Sequence, residues 1–153
     1  MKQLKLTLLF LVITFGGLAI GSWLMANGPL SVWYINLKKA PWTPPGFVFG
    51  LAWSIIMICF SIYLGKLFLK ANTQKNKLIF LLQFILNVSW NFIVFNQHLI
   101  LLGLINITLL TSLLFYYYFK ASHKVEKYKY LLLPYMIWLC IATSLNLYIL
   151  VYN

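Results

Sequence analysis

The chain has 153 residues, 63% of them hydrophobic and 8% charged, and a formal net charge of +11. That is enough chain for one domain. Arginine is absent, Glu126 is the single acidic residue, and every lysine lies at an edge of, or in a break between, long apolar stretches. Positive charge placed this way matches anionic headgroups and membrane topology, and it argues against a nucleic-acid binder.

Residues 6–37, 40–65, 78–119 and 130–153 contain no Lys, Arg, Asp or Glu. A hydrocarbon core about 30 Å thick needs about 20 apolar helical residues. The run 78–119 is too long for one span and breaks at Asn96-Gln97-His98. The prediction is an all-α bundle of five transmembrane helices, a single domain over 1–153, with spans near 6–25, 47–69, 78–95, 99–119 and 130–152. The apolarity is continuous rather than alternating, which argues against a β-barrel.

Lys2 and Lys5 ahead of the first run imitate a signal peptide. The run is too long for such a leader and lacks a small-residue cleavage site, so it is read as a retained span. Gly17-x-x-x-Gly21 within it flattens one face for close backbone approach, either inside the bundle or at a dimer seam. Asn27-Gly28-Pro29 ends the helix. Leu30 to Leu37 reads as a short interfacial helix with Trp33 and Tyr34 at headgroup depth. Next comes Ala40-Pro41-Trp42-Thr43-Pro44-Pro45-Gly46, whose prolines fix φ and predict a stiff, extended lid.

The second span carries Trp53. The third carries Gln83, Asn87, Trp90 and Asn91 on one helical face, and the fifth carries Tyr135, Trp138, Ala142 and Asn146 at nearly the same spacing. The fourth carries Asn106. Amides are disfavoured against lipid, so both stripes should point inward. Helix-to-helix bonding without any ligand explains Gln83 and Asn106 best; for Asn87 and Asn146, each beside an aromatic residue, a ligand contact stands as an equal alternative. Cys59 and Cys140 fall inside spans and read as packing residues, with no cluster that would bind a metal.

Ten lysines (2, 5, 66, 70, 75, 77, 120, 124, 127 and 129) fall on the N-terminal side of the membrane and two (38 and 39) on the other. The expected orientation is a cytoplasmic N-terminus with the lid and C-terminus outside. Trp53, Trp90 and Asn146 then lie roughly 7–9 Å below the lid, Asn87 about 12 Å, and Trp138 near the middle. Trp138 is too deep for an interface anchor. Aromatic and amide groups on three helices thus converge below the loop, as in a site for a flat aromatic ligand.

Three ordered motifs resemble the TspO/translocator-protein family, the tryptophan-rich sensory proteins that include the peripheral benzodiazepine receptor. They are Trp33-Tyr34-x-x-Leu37-x-Lys39 with Trp42-x-Pro44-Pro45-x-x-Val48-x-Gly50-x-x-Trp53; Leu86-Asn87-x-x-Trp90; and Pro134-Tyr135-x-x-Trp138-x-x-x-Ala142-Thr143-x-Leu145-Asn146. The resemblance implies an integral membrane binding and sensory protein for tetrapyrroles such as protoporphyrin IX or haem, and for drug-like hydrophobic ligands. Trp53, Asn87, Trp90, Trp138, Ala142 and Asn146 match its pocket, with Tyr135 of the same stripe expected as a seventh ligand contact, and Trp42, Pro44 and Pro45 match its lid, to which Trp33 and Lys39 belong by position. It also implies a homodimer and, in some members, sterol binding or light-dependent porphyrin breakdown through tryptophans such as Trp53 and Trp138.

The chain departs from the family at Lys39-Ala40-Pro41-Trp42, where one proline is displaced, at Met57 in place of a tyrosine, and at Asn106 in place of an aspartate. The C-terminal sterol pattern is incomplete, with no basic residue after Tyr148, and a separate match at Leu114-x-Tyr116-x-x-x-Lys120 is a weak motif that an ordinary interfacial anchor explains better. No acid–base pair occurs within a span, so an enzyme is disfavoured and no obligatory cofactor or metal is expected. A proton-coupled transporter is disfavoured for the same lack of an ionisable residue.

Overall fold

The computed structural model describes residues 1–153 and contains only helices and their connections. Five helical stretches are long and apolar enough to cross a membrane, making this an integral, multi-pass membrane protein. The helices are α1 (Lys2–Leu24), α2 (Val32–Asn36), α3 (Gly46–Lys70), α4 (Gln74–Asn91), α5 (Ile100–Phe119) and α6 (Leu133–Tyr152). A π-helical turn, Phe92–Asn96, closes α4, and a run of 3-10 turns, Ala121–Leu132, leads into α6.

α1 lies chiefly along α3 and also against α4, while α5 is flanked by α4 and α6. Close approach of α1 rests on its glycines. A Cβ on Gly17 would sit 2.8 Å from the Phe84 ring, and one on Gly21 would sit 2.6 Å from Asn91 Nδ2. The Gly17–Gly21 face is therefore filled by α4 within the same chain, and of the two readings of that spacing the intramolecular one holds. Thr14 and Ser61 share a buried hydrogen bond of 3.0 Å between α1 and α3. Apolar side chains gain little by leaving lipid for a helix interface, so such close packing and interhelical bonds carry the association.

The two ends of the bundle differ in packing. Phe60, Tyr63, Leu64, Leu67, Leu114, Tyr117, Leu132 and Tyr135 are fully enclosed, all towards the end where the lysines gather. At the other end, no residue is buried from Gly46 to Ile55, from Phe84 to Ile93, or from Cys140 to Ser144. These stretches of α3, α4 and α6 are less enclosed than the lysine-rich end, while Val94, Leu145, Asn146 and Ile149 beyond them are buried.

Three details differ from the expected boundaries. α4 begins at Gln74 rather than near 78, because the Thr73 hydroxyl accepts a hydrogen bond from the Asn76 amide at 3.2 Å and caps the helix ahead of Lys75 and Lys77. The connection 120–129 is not a plain loop. Its 3-10 turns kink at Val125 (φ −133°, ψ 39°), and buried Ser122 bonds the Tyr63 hydroxyl at 2.7 Å and donates to the Tyr117 carbonyl at 2.6 Å. The proline-rich segment does not run straight either. It bends where the Thr43 amide and hydroxyl both donate to the Ala40 carbonyl, at 2.9 and 2.7 Å.

Candidate ligand-binding cleft

Between these stretches of α3, α4 and α6 and the buried face of α5 lies a cleft of about 50 Å³. α3 contributes Phe49 and Trp53, α4 contributes Asn87, Trp90 and Asn91, α5 contributes Ile107 and Leu110, and α6 contributes Trp138, Leu139 and Ala142. None of these is ionisable. The Phe49 and Trp138 rings meet edge to face at 5.2 Å, and Trp53 meets Tyr135 in the same way at 5.7 Å. Such contacts fix ring orientation and leave indole surface towards the cavity. Ligand pockets for molecules of drug size run about 300–1,000 Å³. The cleft in this state is well below that, so it would have to widen to admit a flat aromatic molecule.

Of the seven residues expected to contact a ligand, Trp53, Asn87, Trp90, Trp138 and Ala142 stand together on the cleft wall. Tyr135 and Asn146 do not. Tyr135 is fully buried, with its hydroxyl accepting from Gln83 Nε2 at 3.0 Å and its ring edge-on to Phe60. Asn146, 3% exposed, accepts from Trp90 Nε1 at 3.1 Å and donates through Nδ2 to the Ile100 carbonyl at 3.0 Å. It pins the Trp90 indole and the first turn of α5. A Cβ on Gly103 would run into Val94 and lie 3.2 Å from Asn146 Oδ1, so that glycine makes room for the arrangement. Asn106 bonds Ser89 at 2.9 Å between α5 and α4.

Phe49, Asn91, Ile107, Leu110 and Leu139 also line the cleft and were not singled out as site residues. Asn91 was legible as the last member of the α4 polar stripe, and Phe49 as the residue one turn before Trp53. Ile107, Leu110 and Leu139 are apolar residues in apolar spans and give no signal.

The loop above is fastened at three places. Trp33 stacks on His98 at 3.9 Å, with ring planes 15° apart, and Tyr34 packs edge-on against Phe95 at 5.2 Å. The Lys38 backbone pairs with the Asn153 side chain, amide to Oδ1 at 2.8 Å and Nδ2 to carbonyl at 3.2 Å. Trp42 donates from Nε1 to Ser144 Oγ at 3.1 Å and abuts Tyr148. Pro44 is half-buried, and Pro45 caps the start of α3. Lys39 curls back, its Nζ donating to the Ile35 and Leu37 carbonyls at 3.1 and 3.4 Å and lying 4.8 Å from the Tyr34 ring centre.

A model of the TspO/MBR family matches residues 8–152. The chain belongs to that family. It is 32% identical to the tryptophan-rich protein TspO of Archaeoglobus fulgidus over all of this chain and 99% of the relative. It is 31% identical to the TspO of Chlorobaculum tepidum, over 82% of each chain, and 31% identical to the protein CrtK of Rhodobacter capsulatus, over 74% of each.

Within this TspO/MBR chain, the residues at which it departs from the family pattern have structural placements. Met57 is 1% exposed in the core beneath the cleft, and the uncharged Asn106 joins two helices. Ala40, where the proline is displaced, is 4% exposed and supplies the carbonyl that turns the loop.

Proposed function

We propose that this TspO/MBR protein binds flat, largely apolar aromatic molecules, tetrapyrroles such as protoporphyrin IX or haem foremost, in the cleft between Trp53, Trp90 and Trp138. The observation that supports this most is the gathering of three indoles and two amides, from three helices, at the loosely packed end of an otherwise close-packed bundle. Indole faces stack on a planar ligand, while Asn87 and Asn91 offer it donors and acceptors. The segment Trp33–Pro45 acts as the lid, held by Trp42 on α6 and Trp33 on His98. Lys38, exposed at the mouth, is the cation available to a ligand carboxylate, because Lys39 is turned onto its own loop. A homodimer belongs to the same reading, with its seam away from the Gly17–Gly21 face that α4 fills.

The test is a titration of the purified protein with protoporphyrin IX, followed by tryptophan quenching. Saturable quenching that Trp138→Phe weakens supports the reading, and quenching that is linear and indifferent to the substitution sinks it. Light-dependent porphyrin breakdown is a second reading, favoured by the same indoles. It requires that porphyrin absorbance fall in light and not in darkness, and that Glu126→Gln leave the loss unchanged. Sterol handling through Leu114-x-Tyr116-x-x-x-Lys120 has little support, since Leu114 is fully buried among α3 and α6 residues.

A further inference from the structure

The lysine-rich end has a feature that neither the cleft nor the topology explains. Three of its lysines rest on tyrosine rings: Lys66 Nζ lies 4.6 Å from the Tyr128 ring centre, Lys75 Nζ 5.3 Å from Tyr116, and Lys129 Nζ 5.4 Å from Tyr118. A lysine that serves topology alone needs only to be somewhere beyond the hydrocarbon, free in water. Seating on a ring restricts the ammonium to one place and shields its methylene stem. Only Lys129 has a carboxylate nearby, Glu126 at 3.5 Å, and that carboxylate is 75% exposed. An ammonium carries three donors and no acceptor, so each seated lysine still has hydrogen bonds to give.

Their placement selects the partner. Lys66 lies one turn before the end of α3, Lys75 in the first turn of α4, and Tyr116 and Tyr118 in the last turn of α5. All are at span ends, the depth at which lipid phosphates sit. Beside Lys129 is a recess of about 140 Å³, bordered by Tyr118, Phe119, His123 and Glu126. Phe119 is 67% exposed at the α5 terminus and gives this mostly polar recess an apolar edge facing the bilayer. A hydrogen-bonding recess with an apolar lip, where the Lys129 charge is offset only by the solvent-exposed Glu126 carboxylate, fits a phosphodiester headgroup with its chains attached.

We propose that Lys66, Lys75 and Lys129, seated on Tyr128, Tyr116 and Tyr118, form headgroup sites for anionic phospholipid at this end of the bundle. Binding depends on these seated cations and not on net charge. Basic residues near an anionic bilayer are worth about fivefold in affinity each, and a lysine already seated gives up less side-chain freedom on binding than a mobile one.

The experiment offers the full chain, delipidated in detergent, an equimolar mixture of phosphatidylglycerol and phosphatidylcholine, and counts bound lipids by native mass spectrometry. Phosphatidylglycerol should be retained preferentially. The triple variant Lys66→Gln, Lys75→Gln, Lys129→Gln should lose that preference. The triple Lys77→Gln, Lys120→Gln, Lys124→Gln, which removes equal charge from the same end, should keep it. The single pair Lys75→Gln against Lys77→Gln, both at exposed positions, gives the same comparison should the first triple fail to fold. Equal losses in the paired variants would reduce the effect to net charge and overturn the proposal. So would equal retention of the two lipids, or displacement of phosphatidylglycerol by an equal concentration of inorganic phosphate.

Discussion

Trp138 shows how much of the site rests on single residues. It is 6% exposed, lies in the middle of its span, and meets Phe49 edge to face on the cleft wall. Trp33 is also an indole, but it stacks on His98 at the bundle's end, outside the cleft lining. Stacking on an aromatic side chain is worth about 1–3 kcal/mol in nucleic-acid sites. Trp138→Phe should therefore weaken protoporphyrin affinity up to about tenfold, with Trp33→Phe changing it much less; equal affinities would make Trp138 a packing residue. Asn146 acts differently, through Trp90. Asn146→Leu leaves the Trp90 indole N–H without its partner and removes the second bond to the Ile100 carbonyl, and interhelical hydrogen bonds in membranes average about 0.6 kcal/mol and reach about 1.7. A lower thermal midpoint together with weaker binding is expected, and a lower midpoint alone would detach Asn146 from the site. Both side chains were legible in the sequence because an indole or amide stands out within an apolar span. Their separate roles, wall and support, were not, because spacing gives a helical face but not which partner is within 3 Å.

At the level of elements, the glycine spacing of α1 announced a close approach without saying to what. The structure supplies the partner, Phe84 and Asn91 of α4. Gly16, next in sequence, would meet nothing within 4 Å. Gly17→Leu should thus cost about 1–3 kcal/mol by overpacking, read as a lower unfolding midpoint in detergent, while Gly16→Leu should be neutral or slightly stabilising through helix propensity. Gly21→Val pushes directly on Asn91 and should also disturb ligand binding. The hairpin break at Asn96-Gln97-His98 was readable for a physical reason: three polar residues interrupt the apolar run, and His98 closes the turn with φ +58°. The 3-10 run Ala121–Leu132 was not readable. Its lysine-rich composition imitates a solvated loop, while Ser122 and Val125 are held in place by contacts made across the bundle.

Across the whole molecule, packing is tightest at the lysine-rich end and looser beneath the loops, which divides the bundle into an anchor and the region that holds the cleft. On the proposed reading, the side of the membrane from which a ligand would arrive depends on orientation. The lysine distribution, ten against two, favours the anchor in the cytoplasm and the cleft mouth outside. The structure also selects the positions that test this. Ser31 caps α2 by accepting from the Tyr34 amide, and Ser122 is 1% exposed, so neither is a fair reporter. Asn36 and Lys124 are exposed on opposite ends and make no side-chain hydrogen bond. In intact cells, a membrane-impermeant thiol reagent should label Asn36→Cys and not Lys124→Cys, and permeabilisation should make both reactive. Native Cys59 and Cys140 lie within spans and serve as the unlabelled background. The reverse pattern would place the mouth on the cytoplasmic side, so that ligands would arrive from within the cell and the tyrosine-seated lysines would meet the outer leaflet. The bundle would be unchanged, because its packing depends on the helix faces and not on which compartment lies at either end.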